Sequence, residues 1–129
     1  MKKLIFLLLL TAALVFCVGA LLGQAMDLSG TWEGTTYVPD AGDDRVTMNL
    51  RKEGETYSGT FSDSMGLAVE SKLENVQFKE GTLKAEFVIF NGSDYVRISL
   101  TLKVSGEMLV GNWADPGGET GTLEMKRKG

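Results

Sequence analysis

The chain has 129 residues, no histidine, one cysteine and a formal net charge of −4 at pH 7. Without histidine it lacks the Ser–His and Cys–His nucleophile pairs, the commonest general base and the usual zinc ligands. The acidic balance opposes binding to phosphate backbones and to anionic membrane surfaces. We therefore expect a protein that is not an enzyme, that holds no cofactor or metal, and that does not bind nucleic acid.

Residues 1–25 have the pattern of a secretory signal peptide. Lys2 and Lys3 form a charged start, residues 4–18 form an apolar run, and residues 23–25 offer the small side chains that a signal peptidase reads. We expect residues 26–129 to be exported as a single domain that is secreted or periplasmic. This domain is more acidic than the whole chain, because both lysines leave with the leader.

The leader has two other interpretations. Residues 4–22 are nearly long enough to anchor the chain in a bilayer, although the small residues that follow favour cleavage, with no stable membrane span afterwards. Cys17 would be the attachment point of a lipoprotein, but the bulky Phe16 stands where such sites prefer a small residue. Since Cys17 is the only cysteine, residues 26–129 contain no disulfide and depend on an apolar core.

Beyond the leader, short segments of alternating apolar and polar residues follow one another, with glycine-rich turns between them. Burying one face of such strands requires that the sheet closes on itself or packs on a second sheet. The predicted strands cover residues 28–38, 45–53, 56–62, 69–78, 82–90, 94–104, 108–114 and 121–128. Direct hairpins without a long crossover favour an all-β, eight-stranded antiparallel up-and-down β-barrel over a two-sheet sandwich.

The fourth predicted strand, residues 69–78, is irregular. Leu73 and Val76 differ in parity, so they can share a face only if an extra residue lies between them. We therefore expect a β-bulge near Glu74 and Asn75.

The connections between strands alternate between tight turns and longer loops. Gly54, Gly81 and Gly106 mark tight turns that suit hairpins. Successive turns of an up-and-down barrel lie at opposite ends, so the longer loops should gather at one mouth. The acidic residues expected on the rim of this mouth are Asp40, Asp43, Asp44, Asp63, Asp94, Asp115 and Glu119. They either attract a cationic partner or are solvated turn formers, and residues 40–44 lack the ligand spacing of a calcium loop.

The inward-facing positions of the predicted barrel are mostly large and apolar. The candidate ligand-binding residues among them are Trp32, Met48, Tyr57, Phe61, Phe87, Ile98, Leu100 and Trp113. The other predicted inward residues are Val46, Leu50, Leu73, Leu83, Ile89, Val96, Leu102, Leu109, Leu123 and Met125. An eight-stranded barrel has room for side chains or for one small ligand, so the alternative to a pocket is an interior that these side chains fill.

Two short steps of the sequence resemble the calycin barrels, the lipocalins and avidins. Gly30-Thr31-Trp32 is similar to the Gly-X-Trp step of their first strand, and Gly59-Thr60-Phe61 is similar to a Gly-Thr-aromatic step of early avidin strands. The resemblance implies a barrel in which a basic residue of the last strand lies across the first-strand tryptophan. Arg127 has the parity for this position, because it continues the inward series of Leu123 and Met125.

These observations predict an exported, non-enzymatic binding protein that holds a small apolar ligand in its barrel. The alternative is a protein-interaction module, such as a protease inhibitor or an envelope accessory factor, that acts through the acidic mouth loops. Phe90 and Tyr95 should face each other on the outer surface, across the hairpin of the fifth and sixth predicted strands. This pair is either a partner contact or an aromatic pair that stabilises the hairpin.

Overall fold

A computed structural model describes residues 27–128 as one antiparallel sheet of nine strands. The strands are β1 (Gly30–Val38), β2 (Gly42–Glu53), β3 (Thr56–Asp63), β4 (Ser71–Lys72), β5 (Glu74–Lys79), β6 (Thr82–Phe90), β7 (Tyr95–Ser105), β8 (Met108–Ala114) and β9 (Thr120–Arg127). Their order in the sheet is β4-β3-β2-β1-β9-β8-β7-β6-β5. No helix occurs in this part of the chain.

The last strand pairs with the first. β9 lies antiparallel to β1, from Trp32 opposite Arg127 to Thr36 opposite Leu123. The two outer strands of the sheet, β4 and β5, follow each other directly in the chain, so the sheet curls until its edges meet. The predicted all-β, antiparallel up-and-down fold is confirmed as a nearly closed barrel.

The predicted fourth strand is divided in two, which gives nine strands rather than eight. β4 pairs with β3 whereas β5 pairs with β6, so the segment changes partner at Leu73. The side chain of Leu73 is buried, and its amide donates to the carbonyl of Gly59 at 2.9 Å. The register of β5 then shifts between Glu74 and Gln77, with Asn75 at a φ of 51°. The predicted bulge is confirmed, and alternation alone did not show the change of partner beside it.

The apolar positions face the interior as their alternation predicts. Every residue of the predicted inward set is buried except Ile89, Val96 and Trp113, which are half-buried. The hydrophobic side chains with the least exposure are Met48, Leu83, Leu100, Leu102, Leu109, Leu123 and Met125. Burying one such side chain contributes about 1.5–3 kcal/mol, so this packed region supplies much of the stability of the fold.

Three inward-facing glycines, Gly34, Gly59 and Gly111, lie where a neighbouring strand passes very close. A Cβ atom at Gly59 would collide with the carbonyl oxygen of Asn49, and one at Gly111 with that of Thr101. Gly59 and Gly111 therefore let β3 and β8 pack against β2 and β7 while the sheet bends. Bends of this kind close a β-barrel.

The end of the barrel with the tight turns is closed by its own side chains. The guanidinium of Arg127 lies over the ring of Trp32, 4.6 Å from the centroid, and donates to the carbonyl of Ser29. Leu28 is buried beside them; its carbonyl accepts from Trp32 Nε1 at 2.9 Å and its amide donates to Tyr57 Oη at 3.0 Å. The predicted contact between Arg127 and Trp32 is confirmed. It is part of a hydrogen-bonded network that closes this end of the barrel.

The predicted leader, residues 1–25, and its Cys17 lie outside the described residues. Cleavage, lipid attachment and export therefore stay predictions. Within residues 27–128, no helix is long and apolar enough to cross a membrane.

Candidate functional site

A cavity of about 340 Å³ lies at the mouth of the barrel. Its apolar lining consists of Val38, Ala41, Val46, Phe61, Met65, Leu67, Ala68, Phe87, Ile89, Val96, Ile98 and Trp113. Its polar lining consists of Thr36, Asp44, Asp63, Asn91, Asp115 and Glu119. All four longer loops contribute to the lining, so they gather at one end as predicted. The volume falls at the lower end of the roughly 300–1,000 Å³ range of small-molecule sites.

Aromatic rings form two parts of the cavity wall. Phe61 of β3 and Phe87 of β6 stack with their centroids 4.4 Å apart and their planes 18° apart. Trp113 of β8 is held by hydrogen bonds, because its Nε1 donates to Thr36 Oγ1 at 2.9 Å and that hydroxyl donates to the carbonyl of Thr122 at 2.6 Å. Both parts are fixed, so the cavity is largely preformed.

The loop of residues 64–70, which joins β3 to β4, forms a third part of the wall. Its Met65, Leu67 and Ala68 line the cavity. The carbonyl of Leu67 accepts from the amide of Phe90 at 3.0 Å, which ties the loop to the end of β6. The loop therefore covers the mouth at the place where β3 and β6 have no direct pairing in the sheet.

Two carboxyl groups of the cavity lining hold the start and the middle of this loop. Asp44 Oδ1 accepts from the amide and the hydroxyl of Ser64 at 3.0 and 2.7 Å. Asp63 Oδ1 accepts from the amide of Ala68 at 2.8 Å. Asp63 Oδ2 is buried and has no hydrogen-bond partner among the described residues. Burial and the neighbouring carboxyl of Asp44 raise the pKa of Asp63 to about 6.

The cavity includes only some of the predicted interior residues. Those that line it are Phe61, Phe87, Ile98 and Trp113. Those that lie instead in the packed region, outside the lining, are Trp32, Met48, Tyr57 and Leu100. The interior is thus filled towards the closed end and hollow at the mouth. Parity assigns a residue to the inner face, but it does not show how far along the barrel axis that residue lies.

The predicted acidic rim divides in a similar way. The acids that line the cavity are Asp44, Asp63, Asp115 and Glu119. Those that are exposed and outside its lining are Asp40, Asp43 and Asp94. Parity could have identified the two inward acids, because Asp44 continues the series of Val46 and Asp63 continues that of Phe61.

Comparison with models of known protein families found no match for this chain. A search among characterised proteins found no similar sequence at a significant level. Within residues 27–128, no group of three or more acidic, cysteine or histidine side chains is placed to hold a metal ion. Function is therefore inferred from the geometry of the cavity.

An exposed aromatic pair lies on the outer surface near the mouth. Phe90 and Tyr95 face each other across the hairpin of β6 and β7, with ring centroids 5.1 Å apart. Their exposed fractions are 45% and 79%. The predicted position of this pair is confirmed, and its contact with a partner stays a prediction.

Proposed function

We propose that this protein is an exported, non-enzymatic binding protein that holds a small apolar ligand in the cavity at the mouth of its barrel. The observation that supports this most is an apolar cavity of about 340 Å³ next to an interior that is otherwise packed. Concave, mostly apolar clefts with a few polar groups in their lining are the usual form of small-molecule sites. A ligand that enters gains about 25 cal/mol for each Å² of apolar surface removed from water.

We also propose that the barrel is calycin-like in architecture. The stacking of Arg127 on Trp32 supports this, since it is the arrangement that the Gly-X-Trp resemblance implies. It places the closed end opposite the hollow mouth, so one end of the barrel maintains the fold while the other holds the ligand.

Native mass spectrometry of the protein purified from its host tests the main proposal. We expect a co-purifying apolar molecule that organic solvent releases. Delipidated protein should then bind 1-octanol saturably, with a change in tryptophan fluorescence because Trp113 lines the cavity. A protein that carries no molecule and binds no 1-octanol would show the proposal to be wrong.

A pair of matched variants locates the binding. Ile89→Trp adds a large side chain at a half-buried position of the cavity lining, whereas Val104→Trp adds the same side chain at a half-buried position outside it. We expect Ile89→Trp to bind 1-octanol at least about tenfold more weakly, which corresponds to about 1.4 kcal/mol. Val104→Trp should bind it as the unmodified protein does.

A protein-interaction module is the second candidate function, and the exposed Phe90 and Tyr95 favour it. We expect a partner retained on immobilised protein to be lost when both residues are changed to Ser. An empty barrel that retains such a partner would favour this function over ligand binding. Salt should weaken the complex if the acidic mouth loops contribute to it.

Export is proposed from the leader pattern of residues 1–25. The intact mass of protein recovered from the host envelope or medium should correspond to a chain that begins at residue 26. A mass that includes residues 1–25 would contradict cleavage, and a lipid adduct would instead support attachment at Cys17.

A further inference from the structure

We propose that the cavity selects ligands that carry an ammonium group on an apolar chain, with the ammonium bound at the carboxyl pair of Asp44 and Asp63. This inference rests on the proposed function, because it names the class of ligand that the same cavity takes. The apolar lining accommodates the chain, and the two carboxyl groups supply the polar contact that orients it.

The charge of the lining is the first observation that supports this selection. The ionisable side chains that line the cavity are Asp44, Asp63, Asp115 and Glu119, and the lining, as described for residues 27–128, includes no lysine or arginine. The nearest cation along β2, Arg45, is exposed and outside the lining. A cleft that has apolar, low-dielectric walls and is lined by negatively charged carboxylates concentrates cations and repels anions.

The second observation is an unsatisfied buried atom. Asp44 is only 2% exposed, and its Oδ1 is already bonded to Ser64. Asp63 Oδ2 is buried without a partner among the described residues. A buried carboxylate oxygen needs a donor, since leaving it unpaired costs free energy. Either a proton on the carboxyl pair or an N–H group of a ligand can supply that donor.

These two donors compete, which makes the selection dependent on pH. Below the raised pKa of Asp63, which is about 6, a proton occupies this carboxyl group and the ammonium loses the charge of Asp63 as a partner. Above this pH the carboxyl group of Asp63 is ionised and attracts the ammonium. Asp115 and Glu119 at the mouth add to this attraction. A neutral ligand of the same length should show little of this dependence.

Three probes with the same alkyl chain test the inference on the purified protein by isothermal titration calorimetry: octylamine, 1-octanol and octanoate. At about pH 8 we expect octylamine to bind at least about tenfold more tightly than 1-octanol, as a hydrogen bond to a charged group provides. Octanoate should bind more weakly than 1-octanol. At about pH 5 the advantage of octylamine should largely disappear while 1-octanol binding is unchanged.

Two asparagine variants separate the carboxyl pair from the general acidity of the mouth. Asp63→Asn places an amide where the pair would hold its proton, so octylamine should lose about tenfold in affinity at pH 8 while 1-octanol binding persists. Asp94→Asn removes one exposed carboxylate outside the lining and should leave both affinities unchanged. Retained 1-octanol binding shows that the Asp63 variant is folded.

Each outcome has a distinct meaning. If 1-octanol binds and octylamine binds no more tightly at pH 8, the inference is wrong while the proposed function stands. If octylamine binds tightly but Asp94→Asn weakens it as much as Asp63→Asn does, the ammonium is not bound by the carboxyl pair. If none of the three probes binds, the proposed function and the inference both fail.

Discussion

Arg127 and Trp32 belong to the last and first strands of the barrel, and their stacking joins the two ends of the described chain at the closed end. The guanidinium also donates to the carbonyls of Asp27 and Ser29. One side chain therefore holds the strand pair that closes the barrel and the segment that precedes it.

Replacing Arg127 with Ala should lower the free energy of unfolding by about 1–2 kcal/mol, because a cation–π contact and two charged hydrogen bonds are lost near the surface. Urea denaturation measures this change. Lys126→Ala on the same strand, which is also exposed, is the matched control and should change stability by less than about 0.5 kcal/mol. Equal effects of the two variants would contradict the stabilising contact.

Gly59→Ala should destabilise the fold by about 1–3 kcal/mol, because the new methyl group collides with the carbonyl of Asn49 and pushes β2 and β3 apart. Thermal unfolding followed by circular dichroism measures the loss. Gly117→Ala is the control, since a Cβ there meets only Asp115 Oδ1 at 3.4 Å. A Gly59 variant as stable as this control would show that the two strands can separate without cost.

Trp113→Ala should cost about 3–5 kcal/mol of stability, since it removes a large side chain that packs against the core and leaves Thr36 without its indole donor. Trp113→Phe retains most of the packing and should cost less. Chemical denaturation of both variants separates packing from the hydrogen bond. Trp113→Phe should also abolish the fluorescence response to 1-octanol, whereas a response that persists would assign it to Trp32.

The carboxyl pair should make stability depend on pH. The pKa of Asp63 is raised in the folded state from 3.8 to about 6, so the folded protein holds its proton more tightly than the unfolded chain. Its contribution is therefore complete below pH 3.8 and is lost as pH rises to about 6. We expect a loss of about 1 kcal/mol, because solvent screens this partly exposed group.

Asp63→Asn isolates this contribution. The difference in unfolding free energy between the variant and the unmodified protein should change across this pH range and stay constant above it. The pKa of Asp27 is lowered by hydrogen bonds from the amide and hydroxyl of Ser29. Its titration therefore changes the free energy of unfolding only below the ordinary pKa of 3.8, outside the pH range in which Asp63 is tested. A difference that is flat from pH 4 to pH 7 would contradict the raised pKa.

Much of the fold could be predicted from local patterns. Alternating residues such as Val46 and Met48 identify the inner face, and the parity of Arg127 together with the calycin resemblance predicted its contact with Trp32. The parity break between Leu73 and Val76 predicted the bulge. These features depend on two-residue periodicity, which each strand carries in its own sequence.

Other features depend on contacts between distant segments and could not be predicted in this way. Leu28 seals the closed end through the indole of Trp32 and the hydroxyl of Tyr57, and no local pattern indicates these partners. The cavity is lined by side chains from several strands and from all four longer loops, which come together only in the folded chain. The pairing of Asp44 with Asp63 likewise depends on how β2 and β3 bring their ends together.

The division of the segment around Leu73 has a consequence for the protein in crowded surroundings. β4 is only two residues long and β5 contains the register shift, so a foreign polypeptide finds no long, straight backbone to extend. Continuous unpaired strands are the templates on which amyloid-like fibrils grow. The irregularity that allows the barrel to close thus also protects the folded molecule from self-association into fibrils.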